Sequence, residues 1–350
     1  MKNFFALTSN TQSARANVQL RYWKIFQTVF WFTGILLLLI MIFKPPLGVI
    51  LFWNILIPAA PALLVVATGV WRNICPLATT SLLPDRFGFS QKKKLPLSLR
   101  SSFNLIGVSA LFLIIPLRHV VFNTNGQATA IIIISLAATA FVTGLFYESK
   151  SAWCSGLCPI HSVEKLYGSG AGFSLPNAQC ASCVKCTVPC ADSTPNVNIL
   201  TLKKSPKSKA IEYLMAGAFP GYIWGWFQVP DFQPGQGWRY LDIVYGYPLL
   251  GATATFILYL FLSKLLDAGK RKLLMNLFAA AAVSCYYWFR LPLLFGFRKM
   301  NTSSMLFNLS HSLPSWTATA LNLITTAFFL WWMVIRKKSK TSWSIRPEYA

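Results

Sequence analysis

The chain has 350 residues, of which 55% are apolar, 15% aromatic and only 12% charged, and its net charge is +23. A soluble domain carries about a quarter of its residues as charged side chains, so the deficit excludes an ordinary water-soluble protein and points to lipid. The basic excess does not indicate nucleic acid, because Lys and Arg in such a chain mark the cytoplasmic ends of membrane helices.

The first 21 residues are polar and basic, and the apolar run after them is too long for a signal-peptide core, so no cleavable signal is expected. A helix needs about 20 apolar residues to cross the hydrocarbon layer. Spans are predicted over 22–43, 47–71, 103–122, 128–147, 243–266, 273–296 and 317–335. An eighth stretch, 211–229, is weaker, since Glu212, Pro220 and three glycines interrupt it.

Charge decides whether that stretch crosses. With eight crossings and both termini inside, 26 of the 32 Lys and Arg residues face the cytoplasm and 6 face outward. Seven crossings would put both the Lys264–Lys272 cluster and the basic tail outside, against the positive-inside rule. The expected fold is therefore an all-α polytopic membrane protein of about eight transmembrane helices, in a bacterial inner membrane. Two hairpins over 1–147 precede a cytoplasmic segment, 148–210. A second four-helix region, 211–335, and a basic tail, 336–350, follow.

The membrane helices carry one internal repeat. The second predicted span runs into Trp71-Arg72-Asn73-Ile74-Cys75-Pro76, and the fourth into Cys154-Ser155-Gly156-Leu157-Cys158-Pro159. Each hairpin thus delivers a Cys-Pro turn to the same membrane face, with Trp71 standing where Cys154 stands in the second copy.

Eight cysteines need an explanation, and four of them crowd into the stretch from Cys180 to Cys190. Cytoplasmic thiols stay reduced, so clustered ones read as metal ligands rather than disulfides. Cys180-x2-Cys183-x2-Cys186-x3-Cys190 has the spacing of a bacterial ferredoxin cluster loop, in which short gaps present thiolates to the irons of one cube. Zinc sites usually split their four ligands into separated pairs, and this run does not. Two ligand sets stay open. One [4Fe-4S] cube sits on Cys180, Cys183, Cys186 and Cys190; or Cys158, followed by Pro159, is a remote fourth ligand, leaving Cys190, Cys154 and Cys75 for a second cluster. Cys285, inside an apolar span, reads as packing.

With these motifs in place, the chain resembles the membrane-bound ferredoxin-like iron–sulfur family that includes NapH, NosR and FixG. The likeness rests on the Cys-x3-Cys-Pro turn, Cys154 to Pro159, and on the cytoplasmic cysteine run, and it covers roughly residues 30–200. It implies a small ferredoxin-like module on the cytoplasmic side and electron transfer between a soluble ferredoxin or flavoprotein and membrane quinone or another redox subunit. The runner-up implications are a metalloenzyme assembly factor and a cluster-based redox sensor.

Other polar groups fall near the outer side: Arg118 and His119, Arg290, and His311. Ionisable residues within a membrane are functional candidates. Together these four would make an outer-face quinone pocket; a haem on His119 and His311 is the weaker expectation, and snorkelling of Arg118 and Arg290 to the headgroups is the bland alternative. His161 is either a donor beside the cluster, a non-cysteine ligand, or neither. No Asp or Glu lies in the middle of a predicted span, which argues against a carboxylate proton relay.

The charge asymmetry yields a direct test. Alkaline phosphatase fused within 230–242 is expected to be active, and fused at residue 350 inactive. An active fusion at residue 350 overturns the eight-crossing topology.

Overall fold

The computed structural model describes residues 2–93, 95–147, 152–168, 206–267, 270–298 and 305–336. In lipid every backbone amide must be bonded internally, so the apolar runs become helices, and no β-strand occurs among the described residues. In chain order come α1 (Lys2–Phe43), α2 (Pro45–Val49), a π-helical stretch (Ile50–Leu56) and α3 (Ile57–Ile74). After the first Cys-Pro turn come α4 (Pro76–Arg86), α5 (Leu97–Ile114), a π turn (Arg118–Phe122) and α6 (Gly126–Phe146). A further π turn (Trp153–Leu157) carries Cys154 and leads through Cys158-Pro159 into α7 (His161–Tyr167). The second half comprises α8 (Pro206–Glu212), a π segment (Tyr213–Ala218), α9 (Phe219–Trp226), α10 (Leu241–Leu265), α11 (Arg271–Leu294) and α12 (Trp316–Leu330).

Among the described residues, six helices are long and apolar enough to cross a membrane: Lys24–Phe43, Pro45–Thr68, Gly126–Phe146, Gly237–Leu265, Arg271–Leu294 and Trp316–Ile335. The protein is thus a multi-pass, all-α membrane protein, and large side chains such as Phe32, Ile131, Leu250, Ile257 and Ile324 are turned outward to meet lipid. The other two predicted spans take a different form. The one placed at 103–122 ends as an α-helix at Ile114, for a reason written in Pro116. Proline has no amide proton, so the Phe112 carbonyl four residues earlier loses its helical partner. The Tyr222 hydroxyl donates to it instead at 2.7 Å. Tyr245 donates to the Leu113 carbonyl at 2.8 Å, and the Trp226 indole donates to that of Ile115 at 3.2 Å.

The stretch 211–229, read from sequence as the most interrupted span, lies at the centre of the bundle. Met215 and Ala216 are fully buried, and Phe219, Tyr222, Ile223 and Trp226 join the same core. Its glycines are packing contacts rather than interruptions. Gly217, Gly221 and Gly225 form a ridge at four-residue spacing that lets α9 and its π segment lie directly against α10. A Cβ on Gly221 would fall on the Gly251 carbonyl, and one on Gly251 would fall on that of Gly221. Membrane helices associate through small-residue contacts of this kind, since lipid supplies no hydrophobic drive between them.

Span two is broken and re-stitched from the other half of the chain. The Tyr287 hydroxyl inserts into its ladder, accepting from the Ala62 amide at 2.9 Å and donating to the Pro58 carbonyl at 2.6 Å. Further along, Ala67 leaves the helical region (φ −143°, ψ 58°), and Trp332 donates to the Val65 carbonyl at 3.2 Å.

The two hairpins exchange the helices that follow their Cys-Pro turns. α4, after the first turn, packs on α6 of the second hairpin, while α7, after the second turn, packs on α3 of the first. Each hairpin also rests its first helix on its own turn: Gly34 of α1 lies against Pro76, and Gly107 of α5 lies against the Leu157 and Cys158 carbonyls.

The glycine ridge makes a prediction with an internal control. Gly221→Leu should drive α9 from α10 and abolish recovery of monodisperse, folded protein. Gly246→Leu, at a position with nothing within 4 Å, should melt close to the parent in the same detergent. Equal behaviour of the two variants would remove the ridge as a packing determinant.

Candidate functional site

Two features gather the polar chemistry of the bundle, one at each end of the second span. Trp53 and Cys75 lie at opposite ends of that span, separated by about 30 Å of helical rise.

The first feature is the pair of Cys-Pro turns. A residue before proline is pushed out of the helical region, so each helix stops at its cysteine. Cys75 and Cys158 adopt the same conformation, φ −60° and ψ 119°. The Cys75 amide bonds the Trp71 carbonyl at 3.0 Å, and the Cys158 amide bonds that of Trp153 at 2.9 Å. The exchange of α4 and α7 brings the two turns together. Burial pushes the Cys158 thiol up to about 12, and the neighbouring Cys75 adds to the shift, while the backbone amides of Ile160 and His161 work against it. Two thiols are thus brought close, one of them beside backbone amides that favour an anionic sulfur.

The surroundings are basic. Arg72 on α3 forms a buried ion pair with Glu164 on α7, tying the two hairpins together beside the turns. Lys165 is buried as well. His161 is 3% exposed, and burial together with Lys165, Arg72 and Arg100 holds its imidazole well below its usual range, so it is neutral at physiological pH. Its Nδ1 has no hydrogen-bond partner among the described residues. Asn104, with its amide turned to donate, reaches the carbonyls of Gly156 and Ser155 at 2.9 and 3.1 Å and pins the Cys154 turn.

Of the residues expected to ligate iron, Cys75, Cys154 and Cys158 all lie on these turns, as thiols. Cys180, Cys183, Cys186 and Cys190 lie outside the described residues. Among the described residues, no three His, Cys, Asp or Glu side chains converge as a metal site. The donor chemistry of the turns fits an iron–sulfur cluster only in company with further ligands. Cys285 packs against the hydrophobic core, as its apolar context suggested.

The second feature is a cavity of about 220 Å³ between α3, α5, α7, α9 and α11. Its walls are apolar, including Pro61, Leu64, Leu111 and Phe219. One end approaches the thiol turns through Ile160 and Val163; the other carries Arg118, Trp53, Trp226 and Tyr286.

Arg118 and Arg290 do not snorkel. They are 5% and 1% exposed, because the bundle itself supplies their partners. The Arg118 guanidinium lies over the rings of Trp53 at 4.9 Å and Trp226 at 5.2 Å. Arg290 donates to the Trp53 carbonyl at 2.8 Å and to Asn54 Oδ1 at 2.6 Å. The first of these is again a proline debt, since Pro58 has no amide for the π-helical bond to that carbonyl. His119 Nδ1 lies 2.9 Å from Asp231 Oδ1, and its ring packs 4.6 Å from that of Trp226. Burial works to raise the Asp231 carboxyl, but the His119 hydrogen bond and the charges of His119, Arg118 and Arg290 outweigh it and hold the group below the usual carboxylate range.

The structure therefore assembles Arg118, His119 and Arg290 in one region, while His311 is exposed in the segment before α12 and is not part of the cavity wall. Sequence reasoning missed Asp231, Asn54, Trp53 and Tyr286. Asn54 did carry a signal, as an amide inside a long apolar run. Asp231 carried none, because nothing local links it to His119.

Comparison with protein-family models, with characterised proteins and with solved structures finds no match to this chain.

The ion pair between the hairpins is open to a direct test. Arg72→Met leaves Glu164 buried without its partner and should cost about 3–5 kcal/mol. The double variant Arg72→Met/Glu164→Leu should recover much of that loss in thermal unfolding. Simple addition of two independent losses would show that the pair does not couple the hairpins.

Proposed function

We propose that this chain is a membrane-bound iron–sulfur electron-transfer protein. It exchanges electrons between a soluble ferredoxin or flavoprotein and membrane quinone or a partner redox subunit. On this reading it crosses a bacterial inner membrane eight times, with both termini and the ferredoxin-like 148–210 module in the cytoplasm. The observation that carries it is the meeting of the two Cys-Pro turns: Cys75 and Cys158 come from separate hairpins, yet Cys75 is near enough to oppose ionisation of Cys158. Packing alone does not require a thiol at both positions.

Cys158, Cys75 and Cys154, with Cys180, Cys183, Cys186 and Cys190, would hold one or two [4Fe-4S] clusters. Bound there, a cluster supplies a one-electron carrier at the membrane surface. The chain's own residues do the rest. The backbone amides of Ile160 and His161, the latter donating to the Cys158 carbonyl at 3.1 Å, favour the Cys158 thiolate electrostatically. Arg72, Arg100 and Lys165 add positive charge around the turn, which offsets the negative charge of thiolate ligands. Burial of α7 keeps water from the inner side of the site.

Anaerobically purified protein should be brown and contain iron and acid-labile sulfide in equal amounts. Cys158→Ala should lower bound iron and change the paramagnetic spectrum of the reduced protein, and Cys285→Ala should do neither. Stoichiometric zinc without sulfide would sink the reading. Full iron and an unchanged spectrum in Cys75→Ala, Cys154→Ala and Cys158→Ala would confine any cluster to the 180–190 run.

A further inference from the structure

We propose that the loop between α4 and α5, residues 87–93, is an anchor for anionic lipid. Phe87 and Phe89 enter the membrane boundary, and Lys92 and Lys93 hold the phosphate of an acidic glycerophospholipid. The proposal rests on the membrane fold alone and is independent of the iron–sulfur reading.

The loop sits at a defined height. α6 has 21 residues, a rise of about 30 Å that matches the hydrocarbon thickness, so its last residues mark one face of the membrane. The final carbonyls of a helix have no partner within it, and here the loop supplies one for each of the last three. Ser90 Oγ donates to the Gly144 carbonyl at 2.7 Å, the Gln91 amide to that of Leu145 at 2.7 Å, and the Lys93 amide to that of Phe146 at 3.0 Å. On the other flank Arg86 donates to Gln27 of α1, about one turn from Lys24, where the apolar span of that helix begins. Two separate helices thus fix the loop at the same boundary.

Two phenylalanines are turned outward there. Phe87 is 66% exposed and Phe89 70%, although the backbone beside them is firmly bonded. Gly88 takes φ 78°, the left-handed conformation that suits glycine, and the flanking rings come together with centroids 6.4 Å apart. An exposed aromatic pair on a fixed loop calls for an apolar surrounding. At this height the surrounding is the layer between headgroups and acyl chains, where interfacial segments bury such rings.

Charge complementarity names the lipid. Lys92 and Lys93 are both exposed. Asp85 is the one acidic residue in 85–93, against Arg86, Lys92 and Lys93, so the loop keeps an excess of positive charge. Lys92 holds φ 50°, uncommon for a residue with a side chain; its amide donates to Ser90 Oγ at 3.3 Å and its ammonium pairs with Asp85 at 2.8 Å. Basic residues at a membrane surface collect anionic headgroups. An acidic soluble protein would answer the lysines but not rings placed at the end of a membrane span, so the observations favour lipid. α4 runs directly from the Cys75 turn to this loop and packs on α6, so lipid bound here steadies the helix that crosses between the hairpins.

The full chain carrying benzoylphenylalanine in place of Phe89 is irradiated first in the membranes of the expressing cell. After purification it is irradiated in nanodiscs of equal phosphatidylglycerol and phosphatidylcholine. The same probe in place of Phe32, exposed on α1, is the control. Mass spectrometry of the labelled peptides should show lipid adducts at both positions, with the ratio of phosphatidylglycerol to phosphatidylcholine about fivefold or more higher at position 89, the gain expected of lysines at an anionic surface. Lys92→Gln/Lys93→Gln should bring that ratio down to the control value. Lys44→Gln, beyond the other end of the α1 span, should leave it unchanged. A ratio at position 89 no higher than at position 32, or an excess that survives the double variant, overturns the proposal. A protein adduct in place of lipid in cell membranes overturns it too, and assigns the loop to a protein partner.

Discussion

Lipid offers no hydrogen bonds, so a carbonyl that a proline strips of its helical partner gains from a donor on another helix. That constraint organises this bundle more than any pairing of charges. Pro116 frees Phe112, and Tyr222 of α9 answers. Pro292 frees Trp288, and Asn322 of α12 donates to it at 3.1 Å. Pro58 frees Trp53, and Arg290 of α11 donates there. An interhelical hydrogen bond in a membrane is worth only about 1 kcal/mol, but an unmet carbonyl in hydrocarbon costs several. The bonds therefore specify which helices are neighbours more than they strengthen the contact.

The same bonds shape the cavity. Tyr222 and Trp226 reach across to cap the end of α5, and their rings become part of the chamber wall. Tyr287 opens the ladder of span two, and the residues on either side of that break, from Ile57 to Leu64, form another wall. Side chains spent on backbone repair cannot close the space between the helices. The chamber is in this sense a by-product of how broken helices are held together. Arg290 repairs the Trp53 carbonyl, while Arg118 lies over the rings of Trp53 and Trp226.

At the other end the hairpin duplication does the organising. Each Cys-Pro turn stops a helix, and each following helix crosses to the opposite hairpin. The Arg72–Glu164 pair and the approach of Gly168 to Thr68 then hold α7 in the bundle. Neither hairpin could bring Cys75 beside Cys158 alone.

The sequence by itself determined the class of the protein, because composition reports on solvent: apolar runs of membrane length and so few charges leave no other option. It also placed the stops at Cys75 and Cys158, since the residue before a proline cannot continue a helix, and it marked Arg118, His119 and Arg290 as costly residues needing a reason. What it could not give was partnership. Gly217, Gly221 and Gly225 read as flaws in a span until α10 lies against them, because a glycine's use in packing belongs to the neighbour it admits. The exposure of His311, the Asp231 behind His119 and the burial of both arginines are likewise facts about which helices meet. Only the tertiary structure decided those, for the physical reason that a local pattern records what a residue needs but not which distant residue supplies it.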